Sequence, residues 1–253
     1  MNHKEMQSDR GFLVYVTQAY PALKPYLKGF HLTLETWRGG RDKEGWKLKN
    51  TSGSGGVDND DYGLEDTLLE MVEEDTTVDL TIPKDRYEPE TGLTQVVPRL
   101  EEDLQALLEL TSSEKPITRV VRSNHVYTVL YGFGDASSAG FRASVERPDG
   151  TQGRFGLWAR DEDKESSNFR ELLNLVQTVE AEAEAGNMKH AELWLFTDNS
   201  TSESCFVKGS SRSKLLHELV VRLRKVEMQC GGNLHVVHVA GTRMIAQGTD
   251  GLS

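Results

Sequence analysis

Cysteine, long apolar runs and an excess of positive charge are what this 253-residue sequence lacks. Cys205 and Cys230 are its only cysteines and are far from any Cys-x-x-Cys spacing, so we expect free thiols in a reducing compartment. No apolar run reaches the roughly 18 residues of a membrane span, and the polar start, Met1–Arg10, has no signal-peptide core. These absences predict an intracellular protein, cytoplasmic or nuclear, with no transmembrane helix.

Positive charge is in the minority, because 29 Lys and Arg face 40 Asp and Glu and leave a formal charge of −11. Nonspecific binding to nucleic acid depends on excess cations, so this balance argues against a polybasic coat protein or a membrane-surface binder. It leaves room for an enzyme with a local basic strip. The excess acid lies mostly before residue 125, and a Thr-Ser-Gly-Ser-Gly-Gly stretch followed by nine carboxylates without a cation predicts a flexible acidic loop near 51–75.

The first 124 residues predict an irregular α+β region without an obvious site. Phe12–Val16 indicates a short strand or buried turn, and the alternating Leu32, Leu34 and Trp37 indicate a second strand. Helical spacing links a set of apolar residues further on: Val97, Leu100, Leu104, Leu107 and Leu108. No aromatic-x-Asp-Asp hairpin of a polymerase is present.

A more regular pattern begins at residue 125. Three predicted strands follow one another at Val126–Phe133, Phe141–Glu146 and Gly153–Ala159, and the Arg-Pro-Asp-Gly turn at 147–150 predicts a hairpin between the last two. A helix, a strand, a helix and a strand come next. Their predicted bounds are Ser166–Gly186, Ala191–Phe196, Lys214–Gln229 and Leu234–Val239. This order predicts an α/β domain over 125–253, with a mixed five-stranded sheet and helical crossovers.

Four carboxylates fall at the ends or beginnings of these predicted elements. Asp135 follows the first strand, Glu171 lies in the opening turns of the first helix, Asp198 follows the fourth strand and Asp250 lies near the C-terminus. If the first and fourth strands are parallel neighbours, Asp135 and Asp198 meet at one sheet edge and Glu171 leans over from the crossover helix. Clustered carboxylates repel one another, and such hard oxygen ligands select Mg²⁺ or Mn²⁺ rather than Zn²⁺.

The segments around these acids resemble the successive motifs of the ribonuclease H family, in the form associated with retroelement reverse transcriptases. They read Gly-Asp135-Ala-Ser-Ser-Ala-Gly-Phe, Ser-Ser-Asn-Phe-Arg-Glu171-Leu, Phe-Thr-Asp198-Asn-Ser, His-Val-Ala-Gly-Thr and Gly-Thr-Asp250-Gly-Leu-Ser. Each motif alone is weak, but their order on the predicted elements is fairly specific. The resemblance covers about residues 126–253 and identifies 1–124 with a connection-like region.

The resemblance implies a two-metal endonuclease that hydrolyses the RNA strand of RNA/DNA hybrids. It implies two Mg²⁺ ions, or Mn²⁺, held by the four acids, and a reverse transcriptase domain of the same polyprotein as a partner. Contacts to 2′-hydroxyls would select RNA in the cleaved strand. The residues that we expect to contact nucleic acid are Ser137, Asn168 and Asn199 beside the acids and the basic residues Lys208, Arg212 and Lys214.

Three departures from the family pattern affect the expected activity. Thr242 stands where many members have a loop histidine that assists proton transfer or product release, so the turnover rate stays open. Ala246 replaces an asparagine that often precedes the final aspartate. The sequence ends at Ser253 without the helix that usually follows, as a fragment of a longer polyprotein would.

Simpler interpretations remain for each residue. Asp135 is also a turn former, Glu171 a first-turn acid favoured by the helix dipole, and Asp198 an N-cap of a short helix from Ser200. The six cations between Lys208 and Lys225 are also typical of a solvated helix face. The second functional hypothesis is a degenerate copy that binds nucleic acid or is structural. Transposases and integrases usually order their acids Asp, Asp, Glu, which this sequence does not.

Overall fold

The structure is a computed structural model that describes residues 2–36, 41–46, 94–112, 114, 128–159, 162 and 165–247. For residues 245–247 the description is limited to the backbone. The predicted acidic loop near 51–75, Trp37 of the predicted second strand, and Asp250 lie outside the described residues. Of the helices described, none combines the length and the hydropathy needed to span a bilayer.

Five strands form one mixed sheet. The strands are β1 Thr128–Ala136, β2 Gly140–Arg147, β3 Gly150–Leu157, β4 Ala191–Thr197 and β5 Asn233–His238. Their spatial order is β3-β2-β1-β4-β5. The first three are consecutive antiparallel neighbours, whereas β4 pairs in parallel with both β1 and β5. The predicted α/β class with a mixed five-stranded sheet is therefore confirmed.

Helices precede the sheet and cross between its parallel strands. The helices before the sheet are α1 His3–Ala19, a 3-10 helix Pro21–Leu27, α2 Lys28–Leu34 and α3 Pro98–Leu110. Between β3 and β4 lies α4 Ser167–Glu184, and between β4 and β5 lie α5 Ser200–Lys208 and α6 Lys214–Cys230. The last helix, α7 Gly241–Gln247, follows β5. Ser166, where the predicted helix begins, caps α4, because its hydroxyl accepts the Phe169 N–H at 3.3 Å. The main core joins the sheet to α4 and α6 through residues such as Leu130, Leu193, Val176 and Leu223.

A buried polar ridge fixes how α4 lies on the sheet. Its members, Glu171, Asn174, Thr178 and Glu182, follow at spacings of three or four residues and therefore share one face of the helix. At the far end Glu182 receives two hydrogen bonds from Arg147 of β2, at 2.6 and 3.0 Å. With that end held, the rotation of α4 points Glu171 toward the carboxyl end of β1.

The N-terminal segment was predicted to be α+β, but the regular elements described before Thr128 are all helices. Phe12–Val16 lies inside α1, where Phe12 is 66% exposed, and not in a strand or buried turn. Leu32 and Leu34 lie in α2 and not in a strand. Both leucines are buried because this short helix is covered on several sides, and apolar residues two positions apart therefore give the alternating pattern that is typical of a strand. The helix predicted from Val97 onward is confirmed as α3.

The N-terminal helices share a core with α6. Leu23 and Leu107 are buried in a cluster that also contacts Val221 and Met228 of α6. A polar contact adds to it, because Arg99 Nη2 lies 3.4 Å from Nε2 of the buried His217. The helices before the sheet are therefore packed onto the helix that leads into β5.

We expect Gly29→Ala to lower the free energy of unfolding by about 2–3 kcal/mol. A Cβ at this position would lie 2.4 Å from the Leu100 Cα, so α2 and α3 would have to separate. Urea denaturation of the two proteins measures the difference. Gly11→Ala is the matched control, because a Cβ there meets nothing within 4 Å and should stabilise α1 by about 0.5–1 kcal/mol. Equal effects of the two changes would contradict the packing described.

Candidate metal and catalytic site

Three of the four predicted acids converge at one edge of the sheet. Asp135 lies near the carboxyl end of β1, Asp198 directly follows β4, and Glu171 lies in the second turn of α4. Each offers a carboxylate oxygen, and these oxygens all lie within 4.8 Å of one another. The parallel pairing of β1 with β4, which the sequence argument required, is what brings the two aspartates together. The position of Asp250 lies outside the part of the chain that the structure describes.

Helix α4 packs closely against β1, and this close packing brings Glu171 near the two aspartates. A Cβ on Gly134 would lie 2.9 Å from Leu175 Cδ2 and 3.1 Å from Asn174 Nδ2. The helix therefore occupies the space that a side chain beside Asp135 would fill. Gly134 therefore has a packing role within β1, directly before Asp135.

Glu171 is the member of the cluster with the most perturbed environment. Its side chain is 7% exposed, its Oε1 accepts the Ala136 N–H at 3.3 Å, and its Oε2 is buried and receives no hydrogen bond from any described residue. Burial first, and the nearby Asp135 and Asp198 carboxylates second, raise the pKa of Glu171 to about 8. The described residues therefore compensate the charge of an ionised Glu171 poorly.

The donor set suits a hard divalent cation. It contains only carboxylate oxygens, one of them buried without a hydrogen-bond partner among the described residues, while Asp135 is partly exposed and Asp198 is exposed. A cation would remove the repulsion that raises the Glu171 pKa, and the open side leaves room for water or substrate. All-oxygen coordination of this kind favours Mg²⁺ or Mn²⁺ over Zn²⁺.

Asn174 is a site residue that the sequence argument missed. It is fully buried, and its Nδ2 donates to the carbonyl oxygens of Asp135 at 3.0 Å and of Arg142 at 2.8 Å. One side chain of α4 thus ties β1 to β2 at the acidic end. A polar residue one turn after Glu171, among leucines and valines, was the available signal.

We expect Asn174→Asp to cost about 2–4 kcal/mol of unfolding free energy and to lower activity, because an acceptor then faces two carbonyl oxygens. Chemical denaturation measures the first effect and an initial-rate assay the second. Asn233→Asp makes the same chemical change at an exposed position and should stay within about 0.5 kcal/mol of wild type. An unchanged stability of Asn174→Asp would argue against the tie between the strands.

The predicted polar contacts flank the acids. Asn199 Nδ2 donates to Asn168 Oδ1 at 2.7 Å, so an amide pair bridges the ends of β4 and α4. Asn199 also caps α5, because its Oδ1 accepts the Ser202 N–H at 2.8 Å. The alternative in which Asp198 is that cap is therefore wrong. The Ser137 hydroxyl lies within the β1–β2 turn and accepts the Gly140 N–H at 3.2 Å.

The predicted basic strip is not a single exposed surface. Arg224 is 6% exposed and pairs with Glu227 at 2.7 Å, while Arg222 pairs with Glu180 at 2.6 Å. Lys214 pairs with Glu44 of the N-terminal segment at 2.5 Å. Helical periodicity distributes these cations around α6, and several have acidic neighbours that are remote in sequence. Binding of nucleic acid by Lys208, Arg212 and Lys214 stays a prediction.

The segment after β5 differs from the loop predicted there. Thr242, predicted to lie in a loop, lies in helix α7, which begins at Gly241. A Cβ on Gly241 would lie 3.2 Å from the Asp198 Oδ2, so this turn passes close to the acids. His238 lies beside it, with Nε2 3.1 Å from the Asp198 carbonyl oxygen.

Comparisons with known proteins give remote structural similarities. No family model matches the chain, and no curated protein matches it. Ribonuclease H1 of the archaeon Halobacterium salinarum NRC-1 is 18% identical, with a TM-score of 0.37, over 50% of this chain and 94% of that one. The N-terminal ribonuclease H domain of a Mycobacterium tuberculosis protein, solved as a maltose-binding-protein fusion, is 16% identical, with a TM-score of 0.37, over 47% of this chain and 90% of that one.

A third similarity is to a foamy viral protease–reverse transcriptase in complex with double-stranded DNA. It is 9% identical, with a TM-score of 0.34, and the match covers 58% of this chain and 27% of that one. All three similarities have low sequence identity and low TM-scores. The function proposed below therefore depends on the carboxylates of this chain and their surroundings.

Proposed function

We propose that this protein is a Mg²⁺-dependent endonuclease of the ribonuclease H type, which hydrolyses the RNA strand of RNA/DNA hybrids. The observation that carries the proposal is the convergence of Asp135, Glu171 and Asp198 within 4.8 Å, with one oxygen of Glu171 buried and unpartnered among the described residues. The proposal includes two metal ions, Mg²⁺ or Mn²⁺, and Asp250 as a fourth ligand. It also includes a retroelement origin, with a reverse transcriptase domain of the same polyprotein as partner.

The three acids of the cluster would have different roles in binding the cations. Asp135 and Asp198, the two more exposed acids, would hold the cations at the open side, where a phosphate can approach. Glu171 would complete the cluster from below and become ionised as the cations bind. Bound divalent cations supply an activated water and stabilise the charge that develops on the leaving oxygen. Asn174 keeps the backbone of Asp135 in place while this charge changes.

Selection of RNA would come from the polar residues beside the acids. A 2′-hydroxyl both donates and accepts hydrogen bonds, and the amides of Asn168 and Asn199 can do the same. Their mutual hydrogen bond at 2.7 Å holds the two side chains together beside the acids. Ser137, at the opposite side of the acids in the β1–β2 turn, would contact the sugar or phosphate of the same strand.

Cleavage of labelled duplexes tests the proposal directly. The purified protein is incubated with an RNA/DNA hybrid, an all-DNA duplex and an all-RNA duplex of one sequence, with Mg²⁺, with Mn²⁺ or with EDTA. We expect cuts only in the RNA strand of the hybrid, and only with a divalent cation. Cleavage that persists in EDTA would contradict the proposal. So would the absence of hybrid cleavage with both Mg²⁺ and Mn²⁺. Hybrid binding without any cleavage would favour the degenerate module instead.

A further inference from the structure

Strand β3 forms one outer edge of the sheet. It pairs with β2 on one side, and the described part of the chain places no strand on its other side. The Gly156 carbonyl oxygen is directed at β2, because a Cβ on Gly140 would lie 2.4 Å from it. Backbone groups alternate in direction along an antiparallel strand, so the N–H and C=O groups of Gly153, Phe155 and Leu157 point outward. Such a row of donors and acceptors can pair with a further strand.

The side chains at this edge are apolar and exposed. Phe155 and Leu157 are 84% and 83% exposed, the highest values among the large hydrophobic residues that the structure describes. They share one face of the sheet because they are two positions apart. Arg154, between them, points to the opposite face, where its Nη1 donates to Thr178 Oγ1 of α4 at 3.2 Å. The face with Phe155 and Leu157 is therefore the one turned away from α4.

Strand β3 lacks the features that usually keep edge strands apart. Natural edges carry charges, prolines or bulges. Residues Gly150–Leu157 include no proline, lysine or acid, and their register with β2 runs over eight consecutive pairs without a bulge. Their one charge, on Arg154, is turned back toward β2, with the guanidinium carbon 5.2 Å from the Phe141 ring centroid. The outer edge of β3 is therefore uncharged and open to pairing.

The sequence of β3 is complementary to itself in one antiparallel register. A two-fold axis at Phe155 places the two Phe155 rings side by side. Leu157 of each copy then lies opposite Gly153 of the other, and Arg154 lies opposite Gly156. A large side chain meets a glycine at every pair beside the axis, and no like charges are directly opposed.

The neighbouring registers are less favourable. An axis at Arg154 sets two guanidinium groups opposite each other, and like charges directly opposite destabilise a strand pair. An axis at Gly153 places two glycines at the centre and Leu157 opposite the exposed Asp149. The register centred on Phe155 therefore pairs the apolar side chains best.

We propose that two copies of this chain pair along β3 with the two-fold axis at Phe155, which joins two five-stranded sheets into one of ten strands. Helix α4 does not obstruct this edge, because Asn174 holds it above β1 and β2. An aromatic side chain buries about 150–250 Å², so this short interface stays below the roughly 1,200 Å² at which stable interfaces begin. The dimer is therefore weak, with a dissociation constant on the order of 10–100 µM.

Pairing through β3 leaves both acid clusters open. Asp135, Arg142 and Phe155 lie in one row across β1, β2 and β3. Five strand spacings of about 4.8 Å therefore separate the two Asp135 Cα atoms, or about 24 Å. The paired strands run in opposite directions, so the two clusters open at opposite ends of the joined sheet. The inference is consequently independent of the proposed function.

Sedimentation equilibrium of the full-length protein from about 1 to 500 µM tests the dimer. The wild-type protein should change from monomer to dimer over this range. Phe155→Lys should raise the dissociation constant at least about thirtyfold, because it removes the aromatic pair and sets two ammonium groups opposite each other. Phe12→Lys makes the same change at a residue of α1 that is 66% exposed, and should dimerise like wild type. Both positions are exposed, so neither variant should shift the thermal unfolding midpoint.

Disulfide formation between copies tests the register. Both test proteins carry Cys230→Ser, since Cys230 is partly exposed whereas Cys205 is buried. Leu157→Cys in one protein and Gly153→Cys in the other give Cα atoms about 5.5 Å apart, which a disulfide can span. A Cβ on Gly153 meets nothing within 4 Å, so the second change fits the fold. Two copies of Leu157→Cys have these atoms roughly 14 Å apart and cannot crosslink.

The mixture of the two cysteine proteins should therefore oxidise to a covalent dimer much faster than either protein alone. A wild-type protein that stays monomeric at about 500 µM refutes a second copy as the partner of this edge. Equal dimerisation of Phe155→Lys and Phe12→Lys refutes it as well. A mixture that crosslinks no faster than its separate components refutes the register centred on Phe155.

Discussion

Asp135→Asn is expected to reduce Mg²⁺-dependent cleavage of an RNA/DNA hybrid at least about a thousandfold. The change keeps the shape of the side chain but removes one anionic ligand from a cluster whose oxygens lie within 4.8 Å. Stabilisation by bound divalent cations contributes several kcal/mol to such hydrolysis, and each 1.36 kcal/mol corresponds to a factor of about ten in rate. Single-turnover cleavage of labelled hybrid measures the effect.

Asp198→Asn should have the same effect, because the two aspartates occupy equivalent positions at the ends of parallel strands. Asp149→Asn is the matched control: it removes the same charge from the exposed turn between β2 and β3, at the other end of the sheet. That variant should cleave like wild type. Cleavage by Asp135→Asn within tenfold of the control would exclude a catalytic role for the cluster.

Glu171→Gln is expected to stabilise the metal-free protein at pH 8 while it abolishes cleavage. The Glu171 carboxyl has a pKa of about 8 in the folded protein because of burial first and the two aspartates second, against 4.5 as its ordinary value. Ionisation of this group therefore opposes folding. A glutamine keeps an oxygen that can accept the Ala136 N–H and carries no charge. The gain in unfolding free energy at pH 8 should be about 2–4 kcal/mol.

The same group determines how stability depends on pH. Because its folded pKa is raised, the folded state binds more protons than the unfolded state between about pH 4.5 and pH 8. The stability of wild type relative to Glu171→Gln should therefore fall as pH rises through this window, by up to about 1.4 kcal/mol per unit. Urea denaturation of both proteins from pH 4 to pH 9, in EDTA, gives this difference.

Glu182→Gln is the contrasting control on the same helix. Glu182 is as deeply buried as Glu171, but Arg147 donates to it at 2.6 and 3.0 Å, so its charge is compensated. Loss of that charge leaves Arg147 without its partner and should destabilise the protein by about 2–4 kcal/mol. A destabilising Glu171→Gln of the same size would show that Glu171 is a structural acid instead.

Periodic, buried elements were the part of the fold that could be predicted. The five strands and the long helices α4 and α6 have strong apolar patterns, and their structural ends differ from the predicted ends by a few residues. The sequence argument depended on β1 and β4 being parallel neighbours, and the two strands do pair in parallel, with Tyr131 opposite Trp194. The meeting of Asp135 with Asp198 followed from this topology.

Helices α1 and α2 could not be predicted because their signals are tertiary, whereas α3 has an apolar periodicity of its own. Leu32 and Leu34 alternate like strand residues, yet α2 is helical and packs on α3 at Gly29, which has no side chain to prevent contact. The partners of the cations are also remote: Lys214 pairs with Glu44, which lies 170 positions earlier. Asn174 was missed for the same reason, since only the assembled sheet shows the two carbonyl oxygens that it bonds.

Crystals soaked in Mn²⁺ give the most direct view of the central claim, because the anomalous signal of manganese locates the ion independently of any activity. We expect a peak within bonding distance of oxygens from Asp135, Glu171 and Asp198, and its loss in crystals of Asp198→Asn. Ordered side chains in the wild-type crystal with no peak at a millimolar excess of Mn²⁺ would contradict the metal site, and with it the hydrolytic function.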